Sequence, residues 1–154
     1  TQIKIDQSSI KLHLIGKLQT NKVKFAVKIF DFIHSVDSEK LAKKIADEEI
    51  KQNKKLKLFI QVNIGSEEQK SGVSENQLID LYTYCKKLNL DVIGLMCIPP
   101  TKKDPEKYFS QMNLLNKELN LSELSMGMSS DYLKALEHSS SYLRIGSSIF
   151  GKRT

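Results

Sequence analysis

Short apolar runs rich in β-branched residues alternate along the chain with longer segments of helical periodicity, and this alternation restricts the possible folds. The runs cover residues 12–15, 32–36, 58–64, 92–98, 124–128 and 142–145. Strands that alternate with helices at this spacing predict βαβ units and therefore a parallel sheet. The 154 residues contain no linker or low-complexity stretch, so we expect residues 1–154 to form a single domain.

Three of the helical segments begin with recognisable capping residues. Asp37 is the predicted N-cap of the second helix, and Ser74 opens a sequence typical of a capping box. Asp104 and Pro105 predict an N-cap followed by a proline in the first helical turn. These signals place the helices after the apolar runs, as βαβ units require.

Two parallel architectures are compatible with this order of elements. An open doubly wound sheet would bind its ligand at a topological switch point, whereas a closed barrel would bind it at the carboxyl ends of the strands. No GxGxxG turn is present, which disfavours the dinucleotide-binding form of the open sheet. Six runs are fewer than the eight strands of a closed barrel. Either the sheet is open, or about two βα units lie upstream of Thr1.

Composition excludes several classes of partner. No apolar run approaches the roughly 20 residues that a membrane span needs. The net charge is +6, but the lysines of residues 40–57 are interleaved with acidic residues, which indicates a solvated surface and no nucleic-acid partner. Cys85 and Cys97 fall in apolar segments, so we expect reduced core thiols and a cytoplasmic protein.

The last two predicted strands run into loops of small and hydroxyl-bearing residues. One loop spans residues 127–131 and the other spans residues 144–148. Free backbone N–H groups at such strand-to-helix junctions favour a bound anion, and the last two loops of a barrel frequently hold a phosphate. The serines can equally be plain helix N-caps.

Arg144 stands in a run that otherwise suits a buried strand. Burial of an unpaired guanidinium is costly, so this side chain needs a polar pocket or a partner. Two interpretations are open: Arg144 faces the barrel mouth and donates to a ligand, or it lies on the exterior and pairs with a helix carboxylate.

Five segments, in this order, resemble the signatures of the pyridoxal phosphate homeostasis proteins, which share the barrel of alanine racemase. The segments are HLIGKLQTNK at 13–22, KSG at 70–72, GLMCIP at 94–99, MGMSSD at 126–131 and RIGSSIFG at 144–151. The resemblance implies an α/β fold, a (β/α)8 TIM-type barrel similar to the alanine racemase N-terminal domain. It also implies that the first one to two βα units are absent from this chain.

The resemblance further implies pyridoxal 5′-phosphate as the cofactor, with no metal. It implies that Ser129, Gly146 and Ser147 hold the phosphate and that Arg144 faces the pyridine nitrogen. The predicted cofactor-binding set is completed by three residues at strand ends: Asn63, Met96 and Gly127. The family's Schiff-base lysine lies on the first strand and matches no residue here, so no catalytic residue is predicted.

A role in intracellular pyridoxal phosphate homeostasis, as a carrier and not a catalyst, is the function that the resemblance implies. An arginine cannot accept the proton that makes the cofactor ring a strong electron sink. Two alternatives stay open: an enzyme on the same fold, such as an amino-acid racemase, and a protein that binds another phosphorylated molecule. The expected partners are the cofactor and apo forms of the enzymes that use it, with the protein a monomer or weak dimer.

Two structural expectations complete the sequence interpretation. His13, His34 and His138 are predicted to be hydrogen-bonded structural residues, with His13 inside the barrel. A first strand at 12–15 would leave an unpaired edge, which we expect an upstream segment, another chain or a second copy to cover. Direct pairing of this strand with residues 142–145 would instead mean that a smaller barrel has closed.

Overall fold

The computed structural model describes residues 10–67, 71–101 and 103–151. Lys70, part of one family motif, lies outside these residues. Strands and helices alternate as the apolar runs predict. The strands are β1 (His13–Leu14), β2 (Phe32–Val36), β3 (Lys57–Gln61), β4 (Asp91–Met96), β5 (Glu123–Met128) and β6 (Tyr142–Arg144). The helices are α1 (Val23–Ile29, after a 3-10 turn at Thr20–Lys22), α2 (Glu39–Gln52), α3 (Glu75–Lys87), α4 (Glu106–Glu118), α5 (Tyr132–Glu137) and α6 (Ser147–Phe150).

The six strands form one parallel sheet in the order β1-β2-β3-β4-β5-β6. Because every strand pairs with its neighbours in sequence, the order never reverses and the sheet has no topological switch point. The doubly wound alternative is therefore wrong, and the strands form a half-barrel.

The sheet is strongly curved, as the positions of its two edge strands show. In a flat sheet, β1 and β6 would lie about 24 Å apart, since neighbouring strands are roughly 4.8 Å apart. The ring of His13 on β1 nevertheless lies 5.7 Å, centroid to centroid, from that of Tyr142 on β6. Within the described residues β1 does not pair with β6, so no smaller barrel has closed.

Two hydrophobic clusters lie on opposite faces of this curved sheet. The larger one packs the helices against the outer face and includes Ile33, Leu58 and Leu95. The smaller one fills the concave face with Phe32, Phe59 and Met96. Period-two alternation along the strands produces this division, because successive side chains point to opposite faces.

Helix starts differ from the sequence predictions at two positions. Ser38, not Asp37, is the N-cap of α2, and its hydroxyl accepts a 3.4 Å hydrogen bond from the Leu41 N–H. Ser74 is the N-cap of α3, as predicted, but its hydroxyl donates to the Gln77 side chain and accepts no hydrogen bond from the helix backbone. Pro105, not Asp104, is the N-cap of α4, which begins at Glu106, although the Asp104 carboxylate accepts a 3.3 Å hydrogen bond from the Glu106 N–H.

Neither cysteine forms a disulfide within the described residues and both are buried, as expected. Burial, together with the charge of Glu39, raises the pKa of the Cys85 thiol to about 12. Across the described residues, the longest helices are too short and too polar to cross a bilayer.

We predict that Gly94→Ala destabilises the fold, because a Cβ at this position would collide with the backbone carbonyl of Glu123 on β5. The strands would have to separate, so we expect a loss of about 2–3 kcal/mol in the free energy of unfolding. Gly16→Ala is the matched control, because no atom lies within 4 Å of a Cβ there. Urea unfolding of the two variants measures the difference, and equal stabilities would contradict the prediction.

Candidate functional site

A cavity of about 770 Å³ opens at the carboxyl ends of the strands. Its walls come from both edges of the sheet: His13 and Ile15 on one side, and residues 142–147 on the other. The loop after β5 contributes Ser129 and Ser130. Among the described residues, no carboxylate lines the cavity. The volume is within the range of ordinary small-molecule sites.

The loops after β5 and β6 meet at the Ser129 hydroxyl. Its oxygen accepts hydrogen bonds from the backbone N–H groups of Gly146 at 3.2 Å and Ser148 at 3.3 Å. The two loops therefore lie on the same face of the molecule, as predicted. Because two N–H donors converge on one oxygen, an oxygen of a bound anion can take the same position.

The loop after β5 is shaped by close packing and by one carboxylate. Gly127 has a φ of +94°, and a Cβ there would lie 2.6 Å from the Ala135 side chain. Asp131 accepts a 2.6 Å hydrogen bond from the Met128 N–H. These contacts fix the turn that carries Ser129 to the cavity, so only glycine suits position 127.

Arg144 faces the cavity, and the alternative of an exterior ion pair is wrong. Its Nη1 donates to the Ser125 hydroxyl and its Nη2 to the Cys97 carbonyl, both at 2.8 Å. Burial lowers the pKa of the Arg144 guanidinium from its ordinary value, and interactions with Cys97 and Asp131 act in the opposite direction. The guanidinium remains charged at neutral pH and acts only as a donor.

Two histidines continue the hydrogen bonding from Ser125. The Nδ1 of His34 lies 2.8 Å from the Ser125 hydroxyl oxygen, and its Nε2 lies 2.9 Å from the Nδ1 of His13. The His13 ring stacks on Phe32, with the ring centroids 4.1 Å apart. Both histidines are thus hydrogen-bonded on the concave face, which confirms that part of the prediction.

His138 differs from the other two histidines. It ends α5 on the outer side of the sheet, where its ring lies 6.4 Å from that of Phe109. The expectation of a buried core histidine is therefore wrong at this position, since His138 is only half-buried.

Burial, together with the neighbouring charges of His13 and Arg144, lowers the pKa of His34 to about 3. Burial also lowers the pKa of His13, an effect that Asp31 opposes. His34 is only 2% exposed. It is therefore neutral at physiological pH, with one ring nitrogen a donor and the other an acceptor.

The structure brings Ser129, Arg144, Gly146 and Ser147 together around the cavity, but three other predicted residues do not line it. Met96 is fully buried in the concave cluster. The Asn63 amide is occupied by the backbone of Glu67, donating to its carbonyl at 2.8 Å and accepting from its N–H at 3.2 Å. Gly127 contacts α5. Contact of these three residues with a cofactor stays a prediction.

Sequence reasoning missed Ser125, which joins Arg144 to the histidines. Ser125 is completely buried on β5, one of the apolar runs, where its hydroxyl needs a hydrogen-bond partner. A serine that alternates with Leu124 and Met126 on such a strand is a signal for a polar contact on the concave face. Its partners lie 19 and 91 residues away and cannot be read from local spacing.

Comparisons with known proteins agree on one family. The sequence profile of the alanine racemase N-terminal domain matches residues 3–154. A curated relative from Aquifex aeolicus, named pyridoxal phosphate homeostasis protein, is 41% identical over 154 residues, which cover 94% of this chain and 68% of that protein. The Vibrio alginolyticus relative of the same name is 37% identical, and the match covers 66% of its length. The chain therefore spans about two thirds of these relatives.

Solved structures give the same result. PipY of Synechococcus elongatus without pyridoxal phosphate superposes with a TM-score of 0.89 at 34% identity, covering 95% of this chain and 73% of PipY. The PipY structure with pyridoxal phosphate bound gives a TM-score of 0.86 with the same coverage. Alanine racemase of Clostridium difficile, at 15% identity and a TM-score of 0.73, shares the fold over 96% of this chain and 41% of its own.

The depressed pKa of His34 predicts a pH-dependent stability. The unfolded chain takes up a proton near pH 6.5, whereas folded His34 stays neutral to about pH 3. Between these values the unfolded state binds more protons, so the free energy of unfolding should fall as the pH decreases. We expect a loss of about 1–2 kcal/mol from about pH 7 to about pH 5. His34→Asn should reduce this slope in urea unfolding, and His138→Asn, outside the concave face, should keep it. An unchanged slope in His34→Asn would refute the assignment.

Proposed function

We propose that this chain binds pyridoxal 5′-phosphate in the cavity, because it belongs to the alanine racemase N-terminal domain family and, within that family, to the pyridoxal phosphate homeostasis proteins. Its role would be to carry the cofactor within the cytoplasm and deliver it to apo enzymes. One observation carries the proposal: the Ser129 hydroxyl and two backbone N–H groups converge beside the charged Arg144. The PipY relative with pyridoxal phosphate bound supports it.

The phosphate would be held by the loops after β5 and β6. Ser129 and Ser147 supply hydroxyl groups, and Gly146 supplies a backbone N–H that already points at the Ser129 oxygen. The absence of a lining carboxylate among the described residues favours an anion at this position. Met96, Asn63 and Gly127 would support the site from the strand ends.

Arg144 would face the pyridine nitrogen of the cofactor. When bound, pyridoxal phosphate supplies an electron-accepting ring, which accepts electrons most strongly when its nitrogen is protonated. A guanidinium only donates hydrogen bonds, so Arg144 would bind an unprotonated nitrogen and leave the ring a weak acceptor. This chemistry favours a carrier over a catalyst, and the likeness to alanine racemase supports the fold alone.

We also propose that the half-barrel is part of an eight-stranded (β/α)8 barrel and that residues 1–154 belong to this one domain. Leu12 and Ile15, beside the edge strand β1, are 45% and 47% exposed. Ile149 and Phe150, after the other edge strand, are 67% and 86% exposed. Further βα units between these edges would bury the apolar groups and pair both strands. Such units would carry the lysine to which family members attach the cofactor.

We predict that Ser129→Ala weakens binding of pyridoxal 5′-phosphate by about tenfold, because a hydrogen bond to a charged group contributes roughly 1.5–3 kcal/mol. Binding of pyridoxal, which lacks the phosphate, should change little. The matched control is Ser122→Ala, an exposed serine just before the amino end of the same strand. Equilibrium dialysis with both compounds measures the effect. Equal binding of pyridoxal 5′-phosphate by Ser129→Ala and the unsubstituted chain would contradict the assigned phosphate site.

A further inference from the structure

We propose that Ser125 and His34 are positioning residues, which hold the Arg144 guanidinium toward the cavity through a hydrogen-bond chain that runs in one direction to His13. Arg144 comes from β6, Ser125 from β5, His34 from β2 and His13 from β1. The chain thus crosses the concave face from one edge of the half-barrel to the other. It is separate from the phosphate-holding loops.

The direction of the chain follows from the chemistry of its groups. Arg144 has no acceptor, so the Ser125 oxygen must accept from its Nη1. The remaining Ser125 proton can then be donated to His34 Nδ1, 2.8 Å away. A neutral His34 with a bare Nδ1 carries its proton on Nε2, which donates to His13 Nδ1 at 2.9 Å. His13 is left with its proton on Nε2.

The opposite direction would leave a buried donor without an acceptor. If His34 donated from Nδ1, the Ser125 oxygen would accept twice and its own proton would need another partner. Arg144 and His34 are the only groups that the described residues place within hydrogen-bond reach of this oxygen, and Ser125 is fully buried. An unsatisfied buried hydroxyl is costly, so the first direction is favoured.

Three adjacent strands fix the plane of the guanidinium. Nη1 is held by Ser125 of β5, and Nη2 is held by the carbonyl of Cys97, the residue after β4. Two hydrogen bonds to different Nη atoms define the orientation of a planar group, whereas one would allow rotation. Without Ser125, the guanidinium could rotate about its hydrogen bond to the Cys97 carbonyl. Without His34, the Ser125 hydroxyl would lose the acceptor of its own hydrogen bond.

Since this role presupposes the proposed binding of pyridoxal 5′-phosphate, the experiment compares two ligands. One is pyridoxal 5′-phosphate and the other is its 1-deaza analogue, in which a C–H group replaces the ring nitrogen. A well-aimed Arg144 should make the unsubstituted 154-residue chain prefer the first ligand by roughly tenfold. Ser125→Ala should lose most of this preference while retaining phosphate-dependent binding of the analogue. A general folding defect would weaken both ligands alike.

Ser35→Ala is the matched control for this substitution. Ser35 is a buried serine of β2 whose hydroxyl has no hydrogen-bond partner among the described residues. It should keep the preference of the unsubstituted chain. A preference retained by Ser125→Ala would overturn the proposal, as would equal binding of both ligands by the unsubstituted chain. If the unsubstituted chain bound neither ligand, the proposed function would be refuted, and so would the proposed contact between Arg144 and the ring nitrogen.

A measurement without ligand tests the direction of the hydrogen bonds even if Ser125→Ala does not fold. Nitrogen-15 NMR of the imidazoles in the unsubstituted chain distinguishes the two neutral tautomers of His34. We expect a protonated Nε2 and a bare Nδ1, and in His34→Asn we expect the Arg144 side-chain N–H signals to broaden or shift. A His34 protonated on Nδ1 would mean that the hydrogen bonds run in the opposite direction, and it would refute the positioning role.

Discussion

The partial burial of Arg144 on the concave face is the constraint on which the site depends. A guanidinium taken from water without partners is costly, and the described residues place no carboxylate in ion-pair contact with it. Ser125 and the Cys97 carbonyl supply neutral acceptors in its place. The Ser125 hydroxyl must then donate its own hydrogen bond to Nδ1 of His34, which requires that His34 is neutral. The charge of Arg144 on the edge strand β6 thus determines which ring nitrogen of His34, four strands away on β2, carries the proton.

Sequential strand order makes such a network possible. His34 and Ser125 are 91 residues apart in the chain, yet curvature of the parallel sheet brings them within 2.8 Å. The same curvature places the loops after β5 and β6 side by side, where Gly146 and Ser148 donate to Ser129. The helices pack against the outer face of this sheet, and the absence of a Cβ at Gly94 permits the close approach of β4 and β5. Fold stability and site geometry therefore depend on the same strand contacts.

Sequence periodicity predicted the strands to within a few residues, because alternation of apolar side chains is a local property. It also indicated the two serine-rich loops and the need of Arg144 for a polar environment. It could not identify Ser125 as the partner, since that depends on how β5 and β6 align. Asn63 illustrates the converse failure: its position at a strand end suggested a ligand contact, but its amide binds the Glu67 backbone four residues away. Local hydrogen bonds of this kind compete with ligand binding, and the position of a residue at a strand end does not predict them.

The cavity combines a donor-only cation with neutral hydrogen-bonding groups, and this combination restricts the chemistry of the site. Proton transfer to or from a bound molecule needs a group whose pKa lies near the working pH. His34 does not meet this condition, since its pKa is held to about 3, and neither does a guanidinium. His13 is the one histidine that lines the cavity beside His34, but its Nδ1 is committed to that residue. The donor groups of Arg144 and of the loops after β5 and β6 therefore support the proposed binding of an anionic, nitrogen-bearing ring.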